Sequence, residues 1–166
     1  KEYRRQRQMC IRDSTYSGQK TYAALSSDGN TAVISFMNGL IPGDVFIYNR
    51  SNGNWNQTTR LAGQGVDNNN FGSSVAISAD GATVAVGCPY GVTGNPKGNV
   101  FVFRLSNGTW SQSALLYGQG NQVSSSFGAV VGISRDGKTI FAKDMNVFTP
   151  EAGCYFFKES NNNWFF

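Results

Sequence analysis

Ile77-Ser78-Ala79-Asp80-Gly81-Ala82-Thr83-Val84-Ala85-Val86 has two close copies elsewhere in the chain, LSSDGNTAVI from Leu25 and ISRDGKTIFA from Ile133. The Asp-Gly pairs of the three copies, Asp28-Gly29, Asp80-Gly81 and Asp136-Gly137, lie 52 and 56 residues apart. A second marker follows each copy: GDVFIY from Gly43, GNVFVF from Gly98 and GCYFF from Gly153. A third is tryptophan, at Trp55, Trp110 and Trp164, and the first two open the matching runs WNQTTRLAGQG and WSQSALLYGQG. Three markers in one order at one period of about 54 residues define a tandem structural repeat.

Each unit reads as four short strands. In the middle unit strand A is Ser73–Ser78, strand B is Thr83–Cys88, strand C is Asn99–Leu105 and strand D is Thr109–Leu116. Asp-Gly and Asn-Gly supply the positive φ of two-residue hairpin turns, so short A–B and C–D connections are expected. Strand C is apolar at both parities, Val100 and Val102 against Phe101 and Phe103. A strand buried on both faces implies sheets stacked face to face. The expected fold is therefore all-β: four-stranded antiparallel propeller blades, about three in tandem, forming an incomplete propeller. The blades are placed at residues 20–65, 71–120 and 127–166, the third ending before its strand D is complete.

Composition agrees. Charged residues make up only 14% of the chain and Gly numbers 20, a balance suited to turn-rich β structure. No apolar run approaches the length of a membrane span. The net charge of +4 suggests a nucleic-acid partner until it is located. Residues 1–14 carry five basic residues against two acidic ones, whereas the remainder carries nine against eight. That leader shares nothing with the repeats, and QRQMCIRDS resembles translated sequencing-adaptor read-through. It is read as an artefact or a disordered arm, apart from the propeller of 15–166, and no nucleic-acid partner is expected. Cys10 falls in the leader, and Cys88 and Cys154 are expected to be buried free thiols.

Phe71-Gly72 with Ser73–Ile77, then Val84–Pro89, then Gly98–Phe103, resembles the FG-GAP repeat, as in the integrin α-subunit propeller, with Gly87-Cys88-Pro89 standing for Gly-Ala-Pro. The likeness covers about residues 21–166. Phe127-Gly128 renews it in the third unit, where Ala142-Lys143-Asp144-Met145 replaces the small-residue stretch. The first unit has Gln19-Lys20 at the Phe-Gly place and Ile34-Ser35-Phe36-Met37 at the second marker. The resemblance implies a propeller, usually of about seven blades, often extracellular or at the cell surface and often adhesive. The integrin-type calcium loop between strands A and B is absent: each turn offers one carboxylate, fewer oxygens than calcium takes, so no metal or other cofactor is expected. Each Asp is read instead as a turn former, and each Trp as a cap on the packing between blades.

Strand order separates two ends. Short A–B and C–D turns share one; the long links 37–43, 63–70, 89–97, 118–126 and 144–153 share the other. Loops on a rigid scaffold are common recognition surfaces, so the long-link end is the expected binding face, with Gln64, Tyr90, Lys97, Gln119 and Met145 as candidate contacts. A protein ligand is expected, with a glycan as the alternative and further blades as structural partners. Catalysis is not expected: the chain has no His, and a carboxylate pair at this end would need Asp44, Asp144 or Glu151. The remaining alternative is a piece of a propeller enzyme whose active site lies elsewhere. Asn49-Arg50-Ser51, Asn56-Gln57-Thr58 and Asn107-Gly108-Thr109 match the N-glycosylation pattern. Uncovered apolar faces on the end blades predict that residues 15–166 self-associate.

Overall fold

In a computed structural model the described residues are 19–38, 43–63, 70–90, 98–118, 126–144 and 153–166. They contain strands and turns and no α-helix. The first sheet is β1 (Gln19–Leu25), β2 (Thr31–Asn38), β3 (Asp44–Ser51) and β4 (Asn54–Leu61). The second is β5 (Ser74–Ile77), β6 (Thr83–Cys88), β7 (Asn99–Ser106) and β8 (Thr109–Tyr117). The third is β9 (Val130–Ile133), β10 (Thr139–Lys143), β11 (Cys154–Ser160) and β12 (Asn163–Phe165). Each is an antiparallel meander in chain order, so strand A lies at one edge and strand D at the other. Strand B of the middle unit has the bounds expected from sequence, and strands A, C and D differ by a residue or so at their ends.

The C–D hairpins turn as expected. Both central residues have positive φ in each: Asn52 and Gly53, Asn107 and Gly108, Asn161 and Asn162. That is the twist-matched two-residue turn. The A–B turns differ from expectation. Only the glycine of Asp-Gly is left-handed, with φ of 66°, 71° and 68° at Gly29, Gly81 and Gly137. Ser26 N–H reaches Thr31 O, so four residues, not two, form the loop. The Asp organises it. Asp28 Oδ1 accepts from Ser26 Oγ at 2.5 Å and from the Asn30 N–H at 3.0 Å. Ser26 Oγ accepts in turn from the Thr31 N–H at 3.0 Å. Ser78, Asp80 and Thr83 repeat this network, as do Ser134, Asp136 and Thr139.

The sheets stack through alternating side chains. Phe101 and Phe103 join Val84 and Val86 in a core with Val33, Val45 and Ile47 of the first sheet. Val100 and Val102 join Ala85 in a second core with Ile140, Ala142 and Phe157 of the third sheet. One strand thus sends odd residues to one neighbour and even residues to the other, which explains its unbroken apolar run. The A strands lie together, β5 contacting both β1 and β9. Backbone bonds also cross at the turns, Ser27 N–H to Ala79 O at 2.9 Å and Ala79 N–H to Arg135 O at 3.0 Å. Three blades of a propeller result.

The Phe-Gly step forms each seam. Phe71 is buried between the first and second sheets and meets Phe101 edge-on at a centroid distance of 5.2 Å. Phe127 is fully buried between the second and third and meets Tyr155 in the same way. The following glycine, φ +90° at Gly72 and +89° at Gly128, folds the backbone against the preceding sheet. Cys88 is buried, but Cys154 is exposed, against the expectation of two buried thiols. The reason is its side: Cys154 alternates with Tyr155 on β11 and so faces away from the second sheet.

Candidate functional site

The end carrying the long links is the candidate recognition surface. Of the five residues expected there, Gln64, Lys97, Gln119 and Met145 lie outside the described residues. So do residues 1–18, including the leader and Cys10, and Glu151. Tyr90 is described. It follows the buried Pro89 at the end of β6 and is 56% exposed. The fold holds it there because β6 is buried along its full length, so the strand is a fixed base for the residue that leaves it.

Two carboxylates expected at this end have separate partners. Asp44, at the start of β3, accepts from Arg60 Nε at 2.6 Å, and both side chains are substantially exposed. Asp144, just after β10, is buried and accepts from the Ser126 N–H at 2.9 Å, which ties the link entering the third sheet to strand B of that sheet. Asp144 is therefore part of the scaffold. Among the described residues no group of three or more His, Cys, Asp and Glu is assembled that could hold a metal ion. No described helix is long and apolar enough to cross a membrane.

The opposite end is internally closed. Asp28 and Asp136 are held below the usual carboxylate range, first by the serine hydroxyls of Ser26 and Ser134 and then by the backbone N–H groups of Asn30 and Lys138. Their role is that of turn formers, as read from sequence. Trp110 and Trp164 are half-buried against the two cores, as caps on the blade packing. Trp164 also lies under the guanidinium of Arg104, 5.9 Å from its ring centroid, a cross-sheet contact that spacing alone did not reveal. Also unforeseen was Ser35, whose hydroxyl donates to Gly72 O at 2.6 Å across the first seam. Its only signal was a serine where the second unit has glycine.

Residues 55–103, running from the fourth strand of the first sheet through the third strand of the second, match the FG-GAP repeat model. The chain carries an FG-GAP repeat. The match joins the Phe-Gly step to the Gly98–Phe103 strand, and in the structure both motifs belong to one joint. A β-carbon on Gly98 would stand 2.2 Å from Phe127 O, and one on Gly43 2.1 Å from Phe71 O. These two glycines, which recur at the same place in the first and second units, are thus where one blade's backbone touches the next.

Solved propellers show the same arrangement. A candidate 6-phosphogluconolactonase from Bacteroides fragilis is 18% identical with a TM-score of 0.58, over 87% of this chain and 35% of its own. The periplasmic gluconolactonase of Pseudomonas aeruginosa is 19% identical with a TM-score of 0.55, over 83% and 39%. TolB from Acinetobacter baumannii is 14% identical with a TM-score of 0.51, over 88% and 31%. At such identities the likeness is one of fold. This chain spans between 31% and 39% of the length of these structures. No curated protein sequence matches. The lactonases correct one expectation. The FG-GAP likeness and the lack of His led to a non-catalytic module, yet proteins with this arrangement of sheets include enzymes, so the absence of catalysis does not follow from the fold.

Proposed function

We propose that the chain is a sector of a propeller that recognises a protein ligand through the end carrying the long links, in an extracellular or cell-surface setting. The asymmetry of the two ends carries this reading. At the short-turn end the carboxylates are occupied by their own turns. At the other, Tyr90 stands exposed and the Asp44–Arg60 pair lies open to water. An exposed aromatic on the same end as an exposed ion pair suits a protein surface, and Tyr is frequent in such contacts. The extracellular setting is supported by Asn107-Gly108-Thr109, which occupies an exposed hairpin tip at the end away from the proposed face.

The test is a selection of displayed random peptides against the full chain, with each binder's footprint mapped by hydrogen exchange, beside a glycan array. Protection around Tyr90 and the neighbouring links supports the proposal, and its loss in Tyr90→Ala places the ring in the contact. Footprints at the Asn52, Asn107 and Asn161 tips would refute it. Binding on the glycan array alone would replace the protein ligand with a sugar.

A second reading is favoured by the lactonase neighbours: the chain is part of a propeller hydrolase whose site is completed by other blades. Hydrolysis of gluconolactone above the buffer rate, by this chain joined to its remaining blades, would favour it.

A further inference from the structure

Three triplets of the chain have the N-glycosylation pattern, and the fold treats them differently. Asn49-Arg50-Ser51 lies on β3, a central strand, where Asn49 is in register with Thr31 of β2 on one side and Asn56 of β4 on the other. Its carboxamide is occupied twice. Nδ2 donates to Thr31 Oγ1 at 3.2 Å, and Oδ1 accepts from Thr58 Oγ1 at 2.7 Å. Thr31 in turn stands against the A–B turn of the second sheet, where a β-carbon on Gly81 would lie 2.9 Å from Thr31 Oγ1. A sugar on Asn49 Nδ2 would therefore press into the first seam.

Asn56-Gln57-Thr58 lies on β4, the outer edge of the first sheet. Asn56 is exposed, but Thr58 is the bulge residue, skipped where the register steps from Thr59 to Gln57. The Thr58 hydroxyl is committed to Asn49 Oδ1, with Ile47 O 3.2 Å away. Freeing this triplet for an enzyme's peptide groove means peeling β4 from β3.

Asn107-Gly108-Thr109 needs no such opening. It is the tip of the hairpin between β7 and β8, where the ladder closes at Ser106 and Thr109 and leaves Asn107 and Gly108 outside it. All three residues are exposed, and a β-carbon on Gly108 would meet nothing within 4 Å. Neither the Asn107 carboxamide nor the Thr109 hydroxyl is hydrogen-bonded among the described residues. The other two tips share the positive φ but not the hydroxyl: Asn54 and Asn163 stand where Thr109 does.

We propose that Asn107 is an N-glycan acceptor and that folding withholds Asn49 and Asn56. The proposal rests on the extracellular setting proposed above, because that is the route on which a glycan transferase is met. In the reaction Asn107 Nδ2 bonds to the anomeric carbon of a lipid pyrophosphate-linked oligosaccharide. The bond from that carbon to the pyrophosphate oxygen breaks, the lipid pyrophosphate leaves, and one amide proton passes to a base of the transferase. The glycan hangs from the end opposite Tyr90 and leaves the long links uncovered.

In the test, the folded full chain is incubated with a eukaryotic oligosaccharyltransferase and a lipid pyrophosphate-linked oligosaccharide, and glycopeptides are measured by mass spectrometry. Synthetic peptides of residues 46–53, 53–60 and 104–111 give the rates without the fold. All three peptides are expected to be modified. In the folded chain Asn107 is expected to react at least about tenfold faster than Asn49 or Asn56, because only those two wait on local opening. Asn107→Gln and Thr109→Ala should abolish the product and Thr109→Ser should keep it, with unchanged circular dichroism as the folding control. Asn54→Thr, which supplies the hydroxyl at the first tip, should add a second glycan at Asn52. No transfer to Asn107 of the folded chain, or transfer to Asn49 or Asn56 at the rate of Asn107, would overturn the proposal. Peptides that already differ by the same factor would move the choice from fold to sequence and overturn it too. No ligand enters the reaction, so its result stands apart from the footprint at Tyr90.

Discussion

Gly87 lies against Gly128 so closely that a β-carbon on Gly87 would stand 1.9 Å from the carbonyl oxygen of Gly128. The equivalent place at the first seam holds Ser35, whose hydroxyl reaches Gly72 O. The two seams therefore solve one problem in two ways, by bare approach and by a cross-sheet hydrogen bond.

Gly87→Ala should force the second and third sheets apart. Backbone is the obstacle, so the strain cannot be relieved by a rotamer change, and a loss of about 1–3 kcal/mol is expected. Ser35→Ala removes the donor to a buried carbonyl and should cost about 1–3 kcal/mol. Urea unfolding followed by tryptophan fluorescence measures both. A neutral Gly87→Ala would show that the seam is looser than described.

Phe71→Ala should empty the first seam and Phe127→Ala the second, each costing about 3–5 kcal/mol. Both rings are buried among residues of two sheets, so the loss is one of stacking between blades as much as within one. Calorimetry is the check. A Phe71→Ala chain with unchanged melting would remove the ring from its role as wedge.

The Asp-Gly turns predict a pH dependence. The carboxyls of Asp28 and Asp136 are lower in the folded chain than their ordinary value of 3.8, so the unfolded chain takes up their protons first as pH falls. Their contribution is fully present above the ordinary carboxylate value and is lost as pH falls through the lowered one. Asp28→Asn and Asp136→Asn should therefore be less stable than wild type at pH 7. The gap should narrow below the ordinary value. Urea midpoints across that range test it, and a gap that widens on acidification would contradict the turn role.

Strand C of the second unit shows what was legible in sequence. Phe101 and Phe103 alternate with Val100 and Val102 without a polar break, and the structure buries both sets against different neighbours. The repeat period then placed the twelve strands of the described residues in three sheets. The A–B turn was less legible, because Asp-Gly fits both a two-residue turn and the longer loop that Ser26 closes. Choosing between them needs the serine hydroxyl's partner. The site was least legible. A residue such as Tyr90 is placed on a face by counting strands, but what it meets depends on links that follow no repeat. The contact of Arg104 with Glu159 joins two sheets across more than fifty positions and leaves no trace in local pattern.

Consecutive units form separate sheets joined by Phe-Gly steps. Nuclear Overhauser contacts from the Phe71 ring test it most directly. Contacts are expected to Val45 and Ile47 of the first sheet and to Phe101 and Phe103 of the second, with Phe127 linking Val100 to Phe157 in the same manner. Contacts confined to one unit, or strands paired between units, would contradict it.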